Sequence, residues 1–379
     1  MSVLALSGIS YGLYRGVQDN YLADIVHISA FERGIVEFFR ETPGLLVVLI
    51  LAMMHRFTES RIFKIGTAIM AVGLGGLLLS SGGNTGKIIP VLFLVVFSAG
   101  EHIIMPVKTT ISLDLAKSGT GGASLGITGA LGHAGNIAGL VAVTALFFGF
   151  SRLGFTRSDP LPFRGVFALA VALMIAGVFI VLALPESTIK VQRRRFYFAK
   201  KFFKYYMLEV FYGSRKQIFL TFAPYVLILQ YGADTSVISL LLAICAGFGI
   251  LLSPLMGKLI DRVGYKVIMV TDTLILVLVC FFYGFAHRLF ASEVAFMVVC
   301  VNFVLDSIIS LASMACNVYV QDIASSQEEI TATLSTGISV NHLISIFIAL
   351  MGGWIWKVTG IEVLFSLSAF LGLLNSVYA

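Results

Sequence analysis

The chain has 379 residues, of which 58% are hydrophobic and 12% charged, with a mean hydropathy of +0.96 and a net charge of +6. A soluble fold of this length cannot bury so much apolar surface, so a soluble enzyme is excluded. The basic residues lie mainly in a central segment and in short connections, which favours membrane orientation over nucleic-acid binding. The four cysteines are widely spaced within apolar runs and indicate neither a disulfide framework nor a zinc site.

Twelve apolar runs of membrane-crossing length follow one another, and each must form a helix because lipid cannot hydrogen-bond to the backbone. They cover about residues 3–26, 34–54, 62–81, 87–109, 122–150, 164–185, 207–231, 236–256, 265–286, 292–318, 330–355 and 361–379. The sequence therefore predicts an all-α polytopic membrane protein with twelve transmembrane helices in two pseudo-symmetric six-helix bundles. The expected domains are the bundles at 1–187 and 207–379 and a basic linker at 188–206.

The distribution of basic residues predicts the orientation. If the N-terminus is cytoplasmic, the inner connections hold fourteen Lys and Arg residues and the outer connections hold six. Both termini and the linker are therefore expected in the cytoplasm, with the protein in a bacterial inner membrane. In the linker, Phe196, Ala199, Phe203 and Tyr206 would share one face of a helix, which predicts a segment lying among lipid headgroups. A plain solvated tether is the alternative.

Charged residues within the first two spans are candidates for a site, because each costs about 2.5 to 3.5 kcal/mol unless it faces a cavity or a partner. In span 1, Arg15 and Asp19 are four residues apart, so they either pair with each other or face a solute. In span 2, Glu37 and Glu41 share a face with Arg40 nearby, and the two carboxylates repel each other unless the arginine relieves them. Their shallow position predicts hydrated gate residues on the outer side.

Spans 4 and 5 contain the next candidates. Glu101 and Lys108 are seven residues apart and nearly in line along one side of the helix, and His102 follows Glu101. In span 5, Asn136 joins His133, which is either a packing residue or a proton switch, because imidazole titrates near neutral pH. Glycines at steps of three or four residues predict close helix packing in span 5. They are Gly126, Gly129, Gly132, Gly135 and Gly139.

The second half repeats this arrangement. Asp306 in span 10 follows Glu101 by 205 residues, and His342 in span 11 follows His133 by 209. Polar residues near the membrane midplane at matching places in two halves are typical of a substrate site at a repeat interface. A role in function is favoured for the two carboxyls, because neither has an adjacent cation on its own helix. The same two spans add Asn302 and Asn341 to the candidates.

The connection between spans 8 and 9 carries a motif in residues 257–266. The matching positions are Gly257, Leu259, Asp261, Arg262, Gly264 and Lys266. The glycines permit a tight turn at the membrane face, and Asp261 can cap the next helix or pair with basic neighbours. This connection resembles the signature loop of the major facilitator superfamily, and the chain as a whole has a similar topology. The resemblance implies two rocking halves that expose one central site alternately to either side, with this loop as a gating motif.

Two other segments compare less closely with that family. The loop at residues 54–64 keeps the basic residues of the signature but lacks the two glycines and the aspartate. The segment 129–139 is loosely similar to the glycine-rich motif of antiporters in the superfamily, with His133 where a proline is expected. Span 4 also lacks the arginine that drug/proton antiporters of the family usually carry.

The expected function is secondary active transport of a small polar or charged organic solute, with a proton bound at Glu101 or Asp306. Efflux or flipping of an amphiphilic drug or lysolipid is the alternative within this fold, and a membrane sensor is the non-transport alternative. Because the sequence has no H-E-x-x-H, nucleophile elbow or metal-ligand group, we expect no enzyme activity, cofactor or metal. The expected partners are the solute, protons or another coupling ion, and lipids; nucleic acid is not expected, and the protein is expected to be a monomer.

Overall fold

The computed structural model describes residues 2–82, 85–114, 121–183 and 197–379, and these residues contain helices and connections without a strand. The α-helices, in chain order, are α1 (Ser2–Asn20), α2 (Ala30–Met53), α3 (Glu59–Ser80), α4 (Ile88–Asp114), α5 (Gly121–Arg152), α6 (Pro160–Leu182), α7 (Phe203–Tyr231), α8 (Thr235–Val263), α9 (Tyr265–Leu289), α10 (Ser292–Ile309), α11 (Met314–Ile323), α12 (Gln327–Thr359) and α13 (Ile361–Tyr378).

These helices are consistent with the twelve predicted spans, each of which coincides with a helix to within a few residues at most ends. With α10 and α11 counted together, nine stretches of the described residues have the length and hydropathy of a membrane span. The three long helices below that threshold are α1, α2 and α7. In α2 and α7 several charged residues lower the hydropathy. The protein is therefore an all-α integral membrane protein.

Within the described residues, two spans deviate from a regular α-helix. The first ends in a π-helical turn at Tyr21–Ile25, which is followed by His27 with a φ of 58°. The tenth was expected as one continuous helix, but a 3₁₀ turn at Ser310–Ser313 separates α10 from α11. Tyr212 on α7 donates a hydrogen bond of 2.9 Å to the carbonyl of Ser310 at this turn. Such short 3₁₀ segments within a helix frequently mark hinges.

The chain forms two compact units. The first consists of Met1–Ile28, Phe39–Arg193 and Asp234–Ala243, and the second of Ser29–Phe38, Arg194–Ala233 and Ile244–Ala379. The start of α2 thus belongs to the second unit and the start of α8 to the first. The predicted domain limits at 187 and 207 stay predictions.

In the first unit, α1 packs closely on α5 because glycines remove the side chains between them. A Cβ at Gly135 would lie 2.7 Å from the carbonyl oxygen of Ala5, and one at Gly139 would overlap the carbonyl oxygen of Ile9. The predicted glycine packing is therefore present at Gly135 and Gly139. It is absent at Gly126 and Gly129, where an added Cβ would meet nothing within 4 Å.

In the second unit, α7 packs against α12 and α13, and α9 packs against α10 and α13. The start of α2 lies on α12, where a Cβ at Gly34 would overlap the carbonyl oxygen of Ala349. Aromatic side chains fill part of the core, including Tyr205 and Phe202 on or next to the first turn of α7. This core places the charged residues of α7 beside α9 and α10.

The described part of the linker is attached to α12. Tyr197 donates a hydrogen bond of 2.8 Å to Glu329, and Lys201 forms an ion pair of 2.7 Å with the same carboxylate. These bonds, with one from the backbone N–H of Ser325, lower the pKa of Glu329 to about 2. The predicted linker helix is wrong for residues 197–199, because they are not helical and Ala199 is extended. Phe196 and the arginines at 193–195 lie outside the described residues.

Candidate functional site

A cavity of about 400 Å³ opens in the first unit among α1, α3, α4 and α5. Its apolar wall consists of Leu4, Phe63, Met70, Ile104 and Met105. Its polar wall consists of Ser7, Tyr11, Thr67, Glu101, Lys108, His133 and Asn136. This size and mixture are typical of sites for small organic molecules. The structure thus brings together three of the predicted site residues, Glu101, His133 and Asn136.

Glu101 is the carboxylate of this cavity. Its carboxyl group shares a hydrogen bond with the hydroxyl of Tyr11 on α1. It forms no ion pair with any residue in the described ranges. A carboxylate at membrane depth without a cation is costly, so it faces a cavity that can supply a proton or a ligand.

Lys108 is the cation of the same cavity, and its position depends on a glycine. Its Nζ lies 3.3 Å from the place that a Cβ of Gly132 would occupy. Within the described part of the chain, Lys108 also lacks an ion-pair partner. One helical turn further along α5, the Oδ1 of Asn136 is buried without a hydrogen-bond donor. The cavity therefore carries an anion, a cation and an unsatisfied acceptor.

The second unit contains a buried charge cluster of a different kind, which we call the Arg215 cluster (Tyr212, Arg215, Asp272 and Asp306). Arg215 is 2% exposed, and its guanidinium nitrogens lie 3.5 Å from a carboxylate oxygen of Asp272 and 3.7 Å from one of Asp306. The guanidinium also lies over the ring of Tyr212, at 4.9 Å from its centroid. The sequence shows no cation adjacent to Asp306 on its own helix, and α7 supplies one.

Two other predicted residues, Asn302 on α10 and Asn341 on α12, donate hydrogen bonds to groups outside this cluster. Asn302 donates to the carbonyl of Val298 on its own helix, at 2.7 Å. Asn341 donates to the carboxylate of Glu209 on α7, at 3.1 Å. His342 follows Asn341 on α12 and is half-buried. Glu209 is a second polar partner on α7 that the sequence analysis did not select.

The structure corrects the prediction for span 2. Glu37 and Glu41 were expected to be hydrated, but they are 1% and 6% exposed. Arg33, which was expected in an outer connection, lies in α2 and pairs with Glu37 at 2.7 Å. Gln217 of α7 donates a further hydrogen bond to Glu37, at 3.1 Å. Arg40 pairs with Glu41, so each carboxylate has its own arginine and no mutual repulsion needs relief.

Two predicted residues of span 1 and one of span 4 have local partners. Arg15 and Asp19 form the pair that their spacing predicts, at 3.6 Å, and Arg15 also donates to Gln18. The Nδ1 of His102 lies 2.8 Å from the carbonyl oxygen of Ser98. None of these three residues lines the cavity of the first unit.

Comparison with known proteins agrees with this architecture. The sequence model of the Major Facilitator Superfamily matches residues 205–379. The resemblance to this superfamily is confirmed. No curated protein sequence matches the chain significantly.

Solved structures of major facilitator transporters share the fold over nearly the whole chain. The nucleoside transporter NupG has a TM-score of 0.77 at 13% identity, covering 99% of this chain and 96% of its own. A D-xylose-proton symporter has a TM-score of 0.73 at 15% identity, covering 99% and 95%. An inward-facing, occupied bacterial homologue of the human lysosomal transporter Spinster has a TM-score of 0.72 at 16% identity, covering 99% and 93%. At these identities the likeness establishes the fold alone.

The signature loop of the superfamily has only part of the expected local structure. Gly264 has a φ of 85° and separates α8 from α9, as the predicted tight turn requires. Gly257 lies inside α8 and makes no turn. Asp261 does not cap α9, whose N-cap is Gly264, and it has no bonding partner in the described ranges. Arg262 and Lys266 are exposed at this turn.

Sequence reasoning missed Arg215 and Glu209, although both are charged residues within an apolar run. That signal alone could have selected them, because such residues generally face a partner or a cavity. It could not have identified Asp272 and Asp306 as the two carboxylates beside Arg215, since that depends on the packing of α7 against α9 and α10.

Proposed function

We propose that the protein is a secondary active transporter of a small polar or charged organic solute, coupled to protons that bind Glu101 or Asp306. The observation that carries this proposal is Glu101, an acidic side chain in the wall of a solute-sized cavity that forms no ion pair within the described residues. The superfamily fold supports alternating access as the mechanism.

Coupling requires that protonation favour one conformation over the other. A proton on Glu101 removes a charge from the cavity wall. If two conformations expose this wall to water to different extents, the proton changes their free energies by different amounts and so shifts the equilibrium between them. Asp306 is the second position, because it shares the positive charge of Arg215 with Asp272, so these three groups together carry a net negative charge that a proton can neutralise. Neutralising Asp306 would change the charge of the Arg215 cluster by one unit.

Uptake into proteoliposomes under an imposed pH gradient tests the proposal. We expect Glu101→Gln or Asp306→Asn to abolish gradient-driven accumulation, and we expect Asp306→Asn to leave exchange of solute across the membrane intact. The exposed Glu293 at the start of α10 provides the control Glu293→Gln, which should accumulate solute as the wild type does. Unchanged accumulation in both test variants would remove proton coupling from these two positions.

An amphiphilic substrate is the second candidate, and the apolar wall of the cavity favours it. Leu4, Phe63, Met70, Ile104 and Met105 could hold an acyl chain or an aromatic drug. A lipid-extraction assay separates the two readings: the leading proposal expects no extraction of lysolipid from vesicles above the level of protein-free controls. A membrane sensor would bind solute in the cavity but produce no flux at all.

We further propose that the protein works as a monomer in a bacterial inner membrane with both termini in the cytoplasm. The excess of basic residues in the inner connections supports this orientation. Single cysteines placed at Lys258 and Arg288, in a variant whose four native cysteines are replaced by alanine, test it through their accessibility to an impermeant reagent in right-side-out vesicles. Only the cysteine at 288 should react.

A further inference from the structure

The charges of the cavity are arranged in order along its wall. On α4, seven residues separate Glu101 from Lys108, which places their Cα atoms about 10 Å apart along the helix axis and on the same side. Both side chains line the same cavity, with Ile104 and Met105 between them in sequence. The wall therefore has an anionic end, an apolar middle and a cationic end.

The neighbouring helix agrees with this order. Ser124 on α5 donates a hydrogen bond to the carbonyl of Ser112 on α4, and Gly132 approaches Lys108, so the two helices run in opposite directions. Moving along α5 from Gly132 to Asn136 thus leads away from Lys108 and towards the level of Glu101. The buried, unsatisfied Oδ1 of Asn136 and the carboxylate of Glu101 are both acceptors. The anionic end is therefore built for a donor with several N–H bonds.

An ion pair between Lys108 and Glu101 would satisfy both charges without a ligand, but it is not formed. Each of these groups is costly at membrane depth unless a counter-charge is supplied. A single ligand with charges of both signs would compensate them together. It would also cover the apolar wall between them with its own apolar stretch.

We propose that the cavity selects a zwitterionic solute in which an apolar chain separates an ammonium group, bound at Glu101 and Asn136, from a carboxylate, bound at Lys108. This inference rests on the proposed transport function and names its substrate class. The charges of the solute lie about 5 to 10 Å apart, depending on whether its ends lie between the side chains or beside them. The ammonium group and a proton therefore compete for Glu101.

A series of small molecules tests this class by calorimetry or thermal shift on the purified full chain. The probe is ε-aminocaproate, and the comparison compounds are hexanoate, hexylamine and glycine. Hexanoate lacks the ammonium, hexylamine lacks the carboxylate, and glycine has its charges too close together. We expect ε-aminocaproate to bind about tenfold or more tightly than each of the three, because each leaves a charged side chain unpaired or out of reach.

Variants assign the two ends. With Lys108→Met, we expect ε-aminocaproate to bind no more tightly than hexylamine binds the wild type. With Glu101→Gln, we expect it to bind no more tightly than hexanoate. The control variants Lys357→Met and Glu293→Gln change one charge each at exposed positions outside the cavity, and should bind as the wild type does. The double variant Glu101→Lys with Lys108→Glu exchanges the two charges of the cavity wall. It should again bind ε-aminocaproate more tightly than the three comparison compounds, with the solute in the opposite direction. This recovery would show that the single variants lose binding through the change in charge and not through misfolding.

Equal binding of hexanoate or hexylamine to the wild type would overturn the zwitterion, and so would the absence of binding by ε-aminocaproate. Neither result affects the proposed transport function, which depends on gradient-driven accumulation of solute. Conversely, if the wild type accumulated no tested solute under a pH gradient, the transport function would be overturned. The preference for binding ε-aminocaproate would still stand.

Discussion

The cavity of the first unit and the Arg215 cluster of the second unit handle buried charge in opposite ways. In the cavity, Glu101 and Lys108 lie on one wall, and neither forms an ion pair within the described ranges. In the cluster, two carboxylates lie within 4 Å of one arginine that is almost fully buried. A charge surrounded by its counter-ions contributes to the fold. A charge left on a cavity wall is available to a proton or a solute.

The largest effect is expected from breaking the Arg215 cluster. Arg215→Met leaves Asp272 and Asp306 buried without a cation, which should lower the free energy of unfolding by about 3 to 5 kcal/mol. Circular dichroism is used to monitor reversible unfolding of each variant in detergent. Arg288→Met is the control, because Arg288 pairs with Glu362 while 66% of its side chain is exposed, and it should cost less than about 1 kcal/mol. Equal losses in both variants would contradict a special role for the buried cluster.

A smaller effect is expected where the cavity depends on close packing of α1 against α5. Gly139→Ala places a methyl group against the backbone of Ile9 and Leu13, so α1 must move and the free energy of unfolding should fall by about 1 to 3 kcal/mol. Gly126→Ala on the same helix is the matched control, because its methyl group would meet nothing within 4 Å. The same unfolding measurement compares them. Similar stability of the two variants would show that this contact is not tight.

Much of the fold could be predicted from the sequence, because hydropathy and length decide where a chain can cross a bilayer. Glu101, His133 and Asn136, which the sequence indicates because polar groups at membrane depth need a partner or a cavity, line the cavity of the first unit, and their role in a site stays a prediction. Partner choice could not be predicted. Glu37 pairs with Arg33, which the hydropathy pattern had placed in a connection outside the span.

Other features depend on tertiary packing. The break at Ser310–Ser313 carries neither proline nor glycine, so the sequence does not mark it, and it coincides with the hydrogen bond from Tyr212. The position of Lys108 beside Gly132 depends on the register between α4 and α5. Gly257 matched the family pattern by position, yet it lies within a regular helix and only Gly264 makes the turn.

The smallest effect is expected where the linker is attached to α12 through Glu329. Glu329→Gln removes the ion pair with Lys201, so amide hydrogen exchange of residues 197–202 should become faster while the rest of the second unit is unchanged. Faster exchange throughout that unit would contradict a local attachment.

The same attachment gives a pH dependence with a definite sign. The pKa of Glu329 is about 2 in the folded protein, below its ordinary value of 4.5. The carboxylate therefore stabilises the attachment fully above about pH 4.5 and loses this contribution as the pH falls through about 2. Exchange of residues 197–202, corrected for the intrinsic rate, should be constant from neutral pH to about pH 5. A release of the linker between pH 7 and 5 would contradict this account.

The most direct test of the central claim is chemical labelling of Glu101 in the cavity. A hydrophobic carbodiimide reacts with protonated carboxyl groups, and the modified peptide of α4 can be measured by mass spectrometry. If Glu101 is open to protons and solute, the carbodiimide should label it, and saturating ε-aminocaproate should slow its labelling strongly while hexanoate has little effect. Failure of the carbodiimide to label Glu101, or labelling at the same rate with and without ε-aminocaproate, would contradict its place in a zwitterion-binding cavity.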